Sequence, residues 1–339
     1  MQTQLLTRLR EYFDDPKLEK RELLQNLWSE YGEIARYDSP KLGKSVIVKH
    51  VAPPSKVHHP RGWHSEVGHQ RKVRSYQVEA EFYQFFAGRC DETCYVPQFI
   101  GLIKSTNHPE TQTLIMEDLK SSGFDLVYAR ATETQIKTVL SWLAHFHERF
   151  INIDTSTLWP VGCYWYLATR QAEFGVMPQG ELKYNAQRID EALNNARFQT
   201  LLHGDAKLAN FCFSASETVA AVDFQYVGRG IGIKDVMYFL GSCLTDTVLF
   251  EKHDSYIDYY FAQFRAAILS SDTQGVQKRW VEELEQEWRG LIPLVWADFH
   301  RFLLGWSPEH VKINEFMQGQ TAKALNRVRE QPRYSAILA

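Results

Sequence analysis

The apolar residues of this chain change period partway along it, and no other feature restricts the fold as much. Near the front, SVIVKHV alternates and is rich in β-branched residues, and VPQFIGLIKS and TQTLIMED read as two further strands joined by a polar turn. Between these, residues 75–88 place Val78, Phe82 and Phe85 at helical spacing and end on a glycine, which predicts one amphipathic helix. Residues 133–150 repeat that pattern with Val139, Trp142, Leu143, Phe146 and Phe150. Beyond them the spacing stays helical except for one strand pair, NFCFS and VAAVDF. A strand-rich front holding one helix, followed by a helix-rich rear, is an α+β plan with two lobes.

The first residues refine the front. Leu5, Leu6, Leu9, Tyr12 and Phe13, then Leu23, Leu24 and Leu27, sit at helical spacing around a break at Asp14-Asp15-Pro16, which predicts two short helices. From Trp28, WSEYGEIARY predicts a strand with a loop at Gly32, then more strands after the turn-rich DSPKLGK. Residues 53–74 read as a mobile, loop-like insert with Pro53, Pro54, Pro60, Gly62 and Gly68, and five Lys or Arg against the single acid Glu66. His58, His59, His64 and His69 in this insert read as solvated histidines, because no carboxylate-rich ligand set accompanies them. An anion-attracting flap is the other reading.

Composition removes several function classes. With 339 residues and 44% hydrophobic content, the chain can bury a substantial core. Its net charge of −3, from 38 basic and 41 acidic side chains, argues against nucleic acid as a partner. No apolar run approaches the ~18 residues of a membrane span. Charges interspersed through the N-terminal segment leave no secretory signal, so a cytoplasmic location is expected. Five cysteines, of which only Cys90 and Cys94 are close, offer no second pair for zinc and read as reduced thiols.

The stretch Leu201–Gln225, LLHGDAKLANFCFSASETVAAVDFQ, carries the chemistry. It sets His203-Gly204-Asp205, then Asn210, then Asp223 beyond a predicted hairpin. Phosphoryl transfer needs a carboxylate beside the attacking hydroxyl and oxygen ligands for Mg²⁺. Asp205 then serves as base, with Asn210 and Asp223 as metal ligands. The plainer reading is a turn, a hairpin and a strand end that happen to carry polar groups. Gly32 could cover the phosphates, since glycine lets backbone amides approach an anion closely. Neither G-x-G-x-x-G nor a Walker loop is present, which disfavours a P-loop enzyme.

The H-G-D-x-x-x-x-N pattern resembles the catalytic loop of aminoglycoside phosphotransferases and choline kinases, within the protein-kinase-like superfamily. The stretches SYQVEAEFY, LAHFHERF, HGDAKLANFCF, VDFQYVGRGIGIKDVMYFL and EWRGLIPLVWADFHRFLLGW resemble its ecdysteroid-kinase-like branch, over roughly residues 26 to 315. The resemblance implies a bilobal kinase-like fold: a nucleotide-binding lobe over 1–116, a hinge over 117–120, and a helical lobe over 121–339. It implies ATP, Mg²⁺ and a small hydroxylated organic acceptor, with no obligate protein partner. It matches Lys49 to the phosphate-contacting lysine and Glu79 to its glutamate partner, with Glu81 as the competing choice. Glu117 and Leu119 match the hinge whose main chain meets the adenine. Lys207 matches a lysine facing the transferred phosphate, against the plainer reading of a solvated loop lysine. Asp235 either caps its helix or braces the catalytic loop.

Gly204 stands where protein kinases keep an arginine, and no long peptide platform follows Asp223-Phe224-Gln225, so a small acceptor is favoured over a protein kinase. Gln225 replaces the glycine of D-F-G, so the flipping of that loop does not carry over. A non-catalytic nucleotide-binding module is the remaining alternative, opposed by the intact set of Lys49, Asp205, Asn210 and Asp223. On the acceptor side, Tyr164, Trp165, Tyr166, Trp296, Asp298, Phe299, His300 and Trp306 form either packed core or an aromatic pocket with an acidic group. Such a pocket would suit a quaternary ammonium or a rigid apolar ring.

Overall fold

Alternation along Lys44–Val51 (β3) sends Val46 and Val48 to one face and Lys49 and Val51 to the other, so both faces of this strand are buried. A strand of that kind belongs inside a sheet. In the computed structural model, which describes residues 2–27, 31–53, 66–270 and 277–330, it is the central strand of five. The others are Glu19–Asn26 (β1), Gly32–Ser39 (β2), Phe99–Lys104 (β4) and Gln112–Glu117 (β5), in the order β1-β2-β3-β5-β4. Every neighbouring pair is antiparallel, with Ile34 opposite Lys49 and Lys49 opposite Leu114.

Val46 and Val48 pack with Ala35, Tyr37 and Ile115 beneath Leu5 and Leu9 of the first helix, Gln2–Phe13 (α1). On the opposite face, Val51 joins Val73 and Tyr76 of Glu66–Phe85 (α2). The side of the sheet on which Lys49 lies is thereby the side that carries α2.

Three expectations fail here. Leu23 and Leu24 belong to strand β1 rather than to a second short helix, and both are exposed at the sheet edge. Register irregularities between Lys20 and Glu22 and between Leu23 and Gln25 disturb the alternation, which is why the apolar spacing imitates a helix. The expected loop over 53–74 is also too long. From Glu66 the chain is already helical, so α2 takes in Gly68 and His69 and stops at Phe85, short of Gly88. His58, His59, His64 and the Trp28-Ser29-Glu30 part of the front motif lie outside the described residues. Gly32 begins strand β2 rather than forming a loop.

The chain divides into two compact units. The first joins Met1–Asp91, Tyr95–Val127 and Cys212–Gln225; the second joins Glu92–Cys94, Tyr128–Phe211 and Tyr226–Ala339. Strands Phe211–Phe213 (β7) and Val219–Ala221 (β8) pair as the expected hairpin. Within the first unit, Phe213 bridges Leu126 and Ala220 bridges Tyr95.

The second unit is mainly helical. Glu133–Arg149 (α3) opens with a capping box in which Thr132 and Gln135 satisfy one another's backbone amides. It is followed by Gln171–Val176 (α4), Glu181–Asn194 (α5), Ile233–Cys243 (α6), Asp246–Ser270 (α7), Gln277–Trp306 (α8) and Glu315–Glu330 (α9). A short ladder of Thr200–Leu202 (β6) against Gly228–Gly230 (β9) was not legible in the sequence, because three residues establish no period. Trp142 and Phe146 stack at 4.9 Å in its core, and Trp165, Trp288 and Trp296 are buried. No helix of the described residues is long and apolar enough to cross a membrane.

One buried histidine couples this unit to pH. His300 on α8 shares a hydrogen bond with Thr321 of α9, and burial pushes its pKa down to about 4. A depressed histidine pKa means stability that is present above about 6.5 and lost as the pH falls toward 4. The thermal midpoint should therefore decline over that interval, and His300→Phe should flatten the slope. An unchanged slope in the variant would refute the assignment.

Candidate active site

Alternation along β3 and helical spacing along α2 bring Lys49 and Glu79 together. Lys49 Nζ lies 2.6 Å from Glu79 Oε2, and both side chains are about 4% exposed. Burial raises the Glu79 pKa most, Lys49 opposes the rise, and Asp223 adds to it. Glu81, the competing candidate, is half-buried on the same helix.

Asp223 sits just past β8 with φ of 69°, a left-handed conformation that non-glycine residues seldom adopt. The neighbours of Asp223 hold it there. Phe224 stacks on Phe82 of α2 at 4.0 Å, and Tyr83 meets the same ring edge-on. Gln225 donates from Nε2 to Asp223 Oδ1 at 2.8 Å, while its Oε1 accepts from Ser75 at 3.1 Å and Lys72 at 3.3 Å. Glutamine in the third position thus ties the segment to α2 with its side-chain amide, which glycine could not do.

Gly32 has φ of 135°, and a Cβ there would lie 1.9 Å from the carbonyl oxygen of His50. The close approach of β2 to β3 accounts for glycine at this position. At the proposed hinge, the Glu117 amide donates to the Gln98 carbonyl, and its carboxylate accepts from Tyr95 at 2.8 Å and from the Gln98 amide at 2.9 Å. The Leu119 carbonyl accepts from Ser122 and Phe124 in a tight turn. Between them Asp118 is buried; burial works against its charge, yet hydrogen bonds from Arg36 and Ser45 keep its pKa lowered.

In the second unit, β6 delivers the chain directly into His203-Gly204-Asp205. Asp235, fully buried in the first turn of α6, accepts from the backbone amide of His203 at 2.6 Å and from that of Gly204 at 3.0 Å. It braces the loop; the helix start at Gly232 has no side-chain cap. His147 from α3 reaches Asp235 through Nε2 at 3.2 Å, while its Nδ1 meets the Tyr260 hydroxyl at 2.8 Å. Gly204 adopts φ of 79°, and a Cβ there would lie 2.0 Å from the backbone oxygen of Tyr226. The arginine of protein kinases cannot occupy this backbone.

Asp205 is the focus of the loop. Lys207 Nζ lies 2.9 Å from its Oδ2, and Asn210 Nδ2 reaches the same oxygen at 3.1 Å and the backbone oxygen at 2.8 Å. Asp205 and Asn210 are buried, whereas the Lys207 side chain is 39% exposed. Tyr238 of α6 faces the same carboxylate: burial, then Asp205, raises its pKa well above the usual phenol range.

The first unit therefore gathers Lys49, Glu79 and Asp223, and the second gathers Asp205, Lys207 and Asn210. Among the described residues, no three His, Cys, Asp or Glu side chains form a metal cluster. A cation held by one carboxylate, one amide oxygen and phosphates needs no such cluster.

Most of the expected aromatic pocket is core. Trp165, Trp296, Phe299 and His300 are buried, and Tyr164, Tyr166 and Trp306 reach the surface in part. Asp298, the expected acidic group, is buried and committed: Arg301 donates to it at 2.7 Å, Trp165 at 3.0 Å, and Lys234 lies 3.7 Å away. Sequence reasoning assigned no role to His147, Tyr238 or Lys72. Only His147 left a signal, as a polar residue amid the buried positions of the α3 pattern.

Residues 179–271 match the model of the ecdysteroid kinase-like family. No curated protein matches the chain. Among solved structures, a provisionally assigned aminoglycoside phosphotransferase from Ralstonia eutropha JMP134 is 12% identical, with a TM-score of 0.51, over 96% of this chain and 95% of that one. A thermostable mutant of aminoglycoside phosphotransferase APH(4)-Ia is 11% identical, with a TM-score of 0.50, over 95% and 98%. Aminoglycoside 2'-phosphotransferase-IIIa, solved with GDP, is also 11% identical with a TM-score of 0.50, over 95% and 99%. The α+β fold is the kinase-like fold of these structures.

Gly204→Ala should lower the stability of the second unit by about 2–4 kcal/mol, combining left-handed strain with the clash against Tyr226. Urea unfolding would measure the loss, and a variant as stable as the parent would contradict the backbone geometry.

Proposed function

We propose that this protein is a small-molecule kinase that transfers the γ-phosphate of ATP to a hydroxyl of an organic acceptor. The observation that carries this reading is the braced loop: Asp235 fixes the backbone of His203 and Gly204, so the Asp205 carboxylate is presented with Lys207 and Asn210 on one oxygen. The family match over residues 179–271 covers this loop. The GDP held by one structural relative supports nucleotide use.

In the proposed reaction the acceptor oxygen forms a bond to the γ-phosphorus, the bond from that phosphorus to the bridging oxygen breaks, and ADP leaves. Asp205 takes the acceptor proton. Lys207 stabilises charge on the transferred group. Lys49, held by Glu79, contacts the nucleotide phosphates, and needs little reordering because the ion pair is already formed. Gly32, at the start of strand β2, is assigned to the phosphate side of the nucleotide, and the main chain of Glu117 and Leu119 to its base. Asn210 and Asp223 would hold Mg²⁺, a hard cation suited to the one amide oxygen and the carboxylate they offer, and the chemistry it would supply is neutralisation of phosphate charge. Gly204, and the lack of a long peptide platform after Asp223-Phe224-Gln225, favour a small acceptor over a protein substrate. We further propose a nucleotide-binding lobe over 1–116, a hinge over 117–120 and an acceptor-binding lobe over 121–339.

Asp205→Asn should reduce acceptor-stimulated ATP consumption by about 10²–10⁴-fold. Thermal stabilisation by Mg-ATP should survive, because the nucleotide contacts remain. Turnover equal to the parent would refute the role of Asp205. Loss of both properties would point to misfolding, which circular dichroism would reveal.

A further inference from the structure

The cations around the catalytic loop differ in how they are neutralised. Arg170 pairs with Glu173 at 3.0 Å, Arg301 and Lys234 share Asp298, and Lys207 pairs with Asp205. Lys312 is the exception. It lies in the connection between α8 and α9, and no carboxylate of the described residues is within ion-pair distance of it. Its ammonium rests instead over the ring of Tyr238 at 4.7 Å and over that of Phe299 at 5.7 Å. Burial pushes its pKa down to about 8; Asp205 opposes that fall and Lys207 adds to it, so Lys312 feels both residues of the loop.

Holding an ammonium half-buried without a carboxylate costs solvation that two ring faces only partly restore. The aromatic group beneath it is anchored to the loop. The Tyr164 amide donates to the Gly204 carbonyl at 3.1 Å, and its ring packs edge-on against Tyr238 at 5.4 Å. Arg170 already covers the Tyr164 ring at 5.8 Å and that of Phe302 at 5.2 Å. Protein cations thus lie over the aromatic faces on this side of Asp205. Asp298 is already paired in the interior, and a quaternary ammonium beside these rings would be repelled by Lys312. Asp205 and Lys207 balance one another, and Lys312 leaves one positive charge in surplus.

We infer that the acceptor carries an anionic group, a carboxylate or phosphate, which Lys312 binds beside Asp205. The inference deepens the small-molecule kinase reading and rests on it for the word acceptor. Binding of the anion can nonetheless be measured without turnover.

The test uses three probes on one scaffold with the full chain: 4-(hydroxymethyl)benzoate, its neutral amide, and the matching trimethylanilinium alcohol. Affinities are measured by ligand-observed NMR in the presence of Mg-ADP. The benzoate should bind about tenfold more tightly than the amide, the scale of one charge-assisted contact, and the trimethylanilinium most weakly. Lys312→Gln should bring the ratio of benzoate to amide near one, while Lys312→Arg should keep it. Tighter binding of the cationic probe, no binding of the benzoate, or a ratio unmoved by Lys312→Gln would each overturn the inference. Failure of the kinase reading is separate: it would appear as ATP consumption that Asp205→Asn does not change.

Discussion

A single buried carboxylate organises the second unit. Asp235 has no solvent exposure, and a carboxylate so placed must have its charge satisfied by the protein. The backbone amides of His203 and Gly204 and the ring of His147 meet that demand. These donors come from segments far apart in the chain. Removing the acceptor would strand buried amides, so the loop cannot relax independently of α3 and α6. The position of Asp205 follows from that restraint.

The same logic, with different chemistry, applies to the first unit. Lys49 and Glu79 are buried as a pair, and neither would tolerate its place without the other. Close by in electrostatic terms, Asp223 is held by Gln225, whose amide spans from the carboxylate to Ser75 and Lys72 on α2. Beneath this polar set the stack of Phe224 on Phe82 fixes the backbone. The polar arrangement is therefore built on an apolar contact, and the direction of the side chains is a product of packing.

Much of this is legible in the sequence. Alternation in SVIVKHV marked the central strand, and helical spacing marked α3 and the C-terminal half of α2. Legibility failed where local pattern and pairing disagree. The bulged edge strand β1 carries leucines at helical intervals, and the ladder of β6 with β9 is too short to have a period. The aromatic residues of the rear were ambiguous for a related reason, since a tryptophan in a core and one in a pocket look alike in one dimension.

What the sequence determined by itself was the α+β order of elements and the presence of an H-G-D-x-x-x-x-N loop followed by D-F-Q, because period and local spacing are properties of neighbouring residues. What only the tertiary structure decided was which charges are spent and which are not. Asp298 is consumed by Arg301 and Lys234, and Asp235 by the loop amides, while Lys312 stands over aromatic rings with no carboxylate at ion-pair distance among the described residues. Charge pairing depends on distances between segments remote in the chain, and composition contains no record of them.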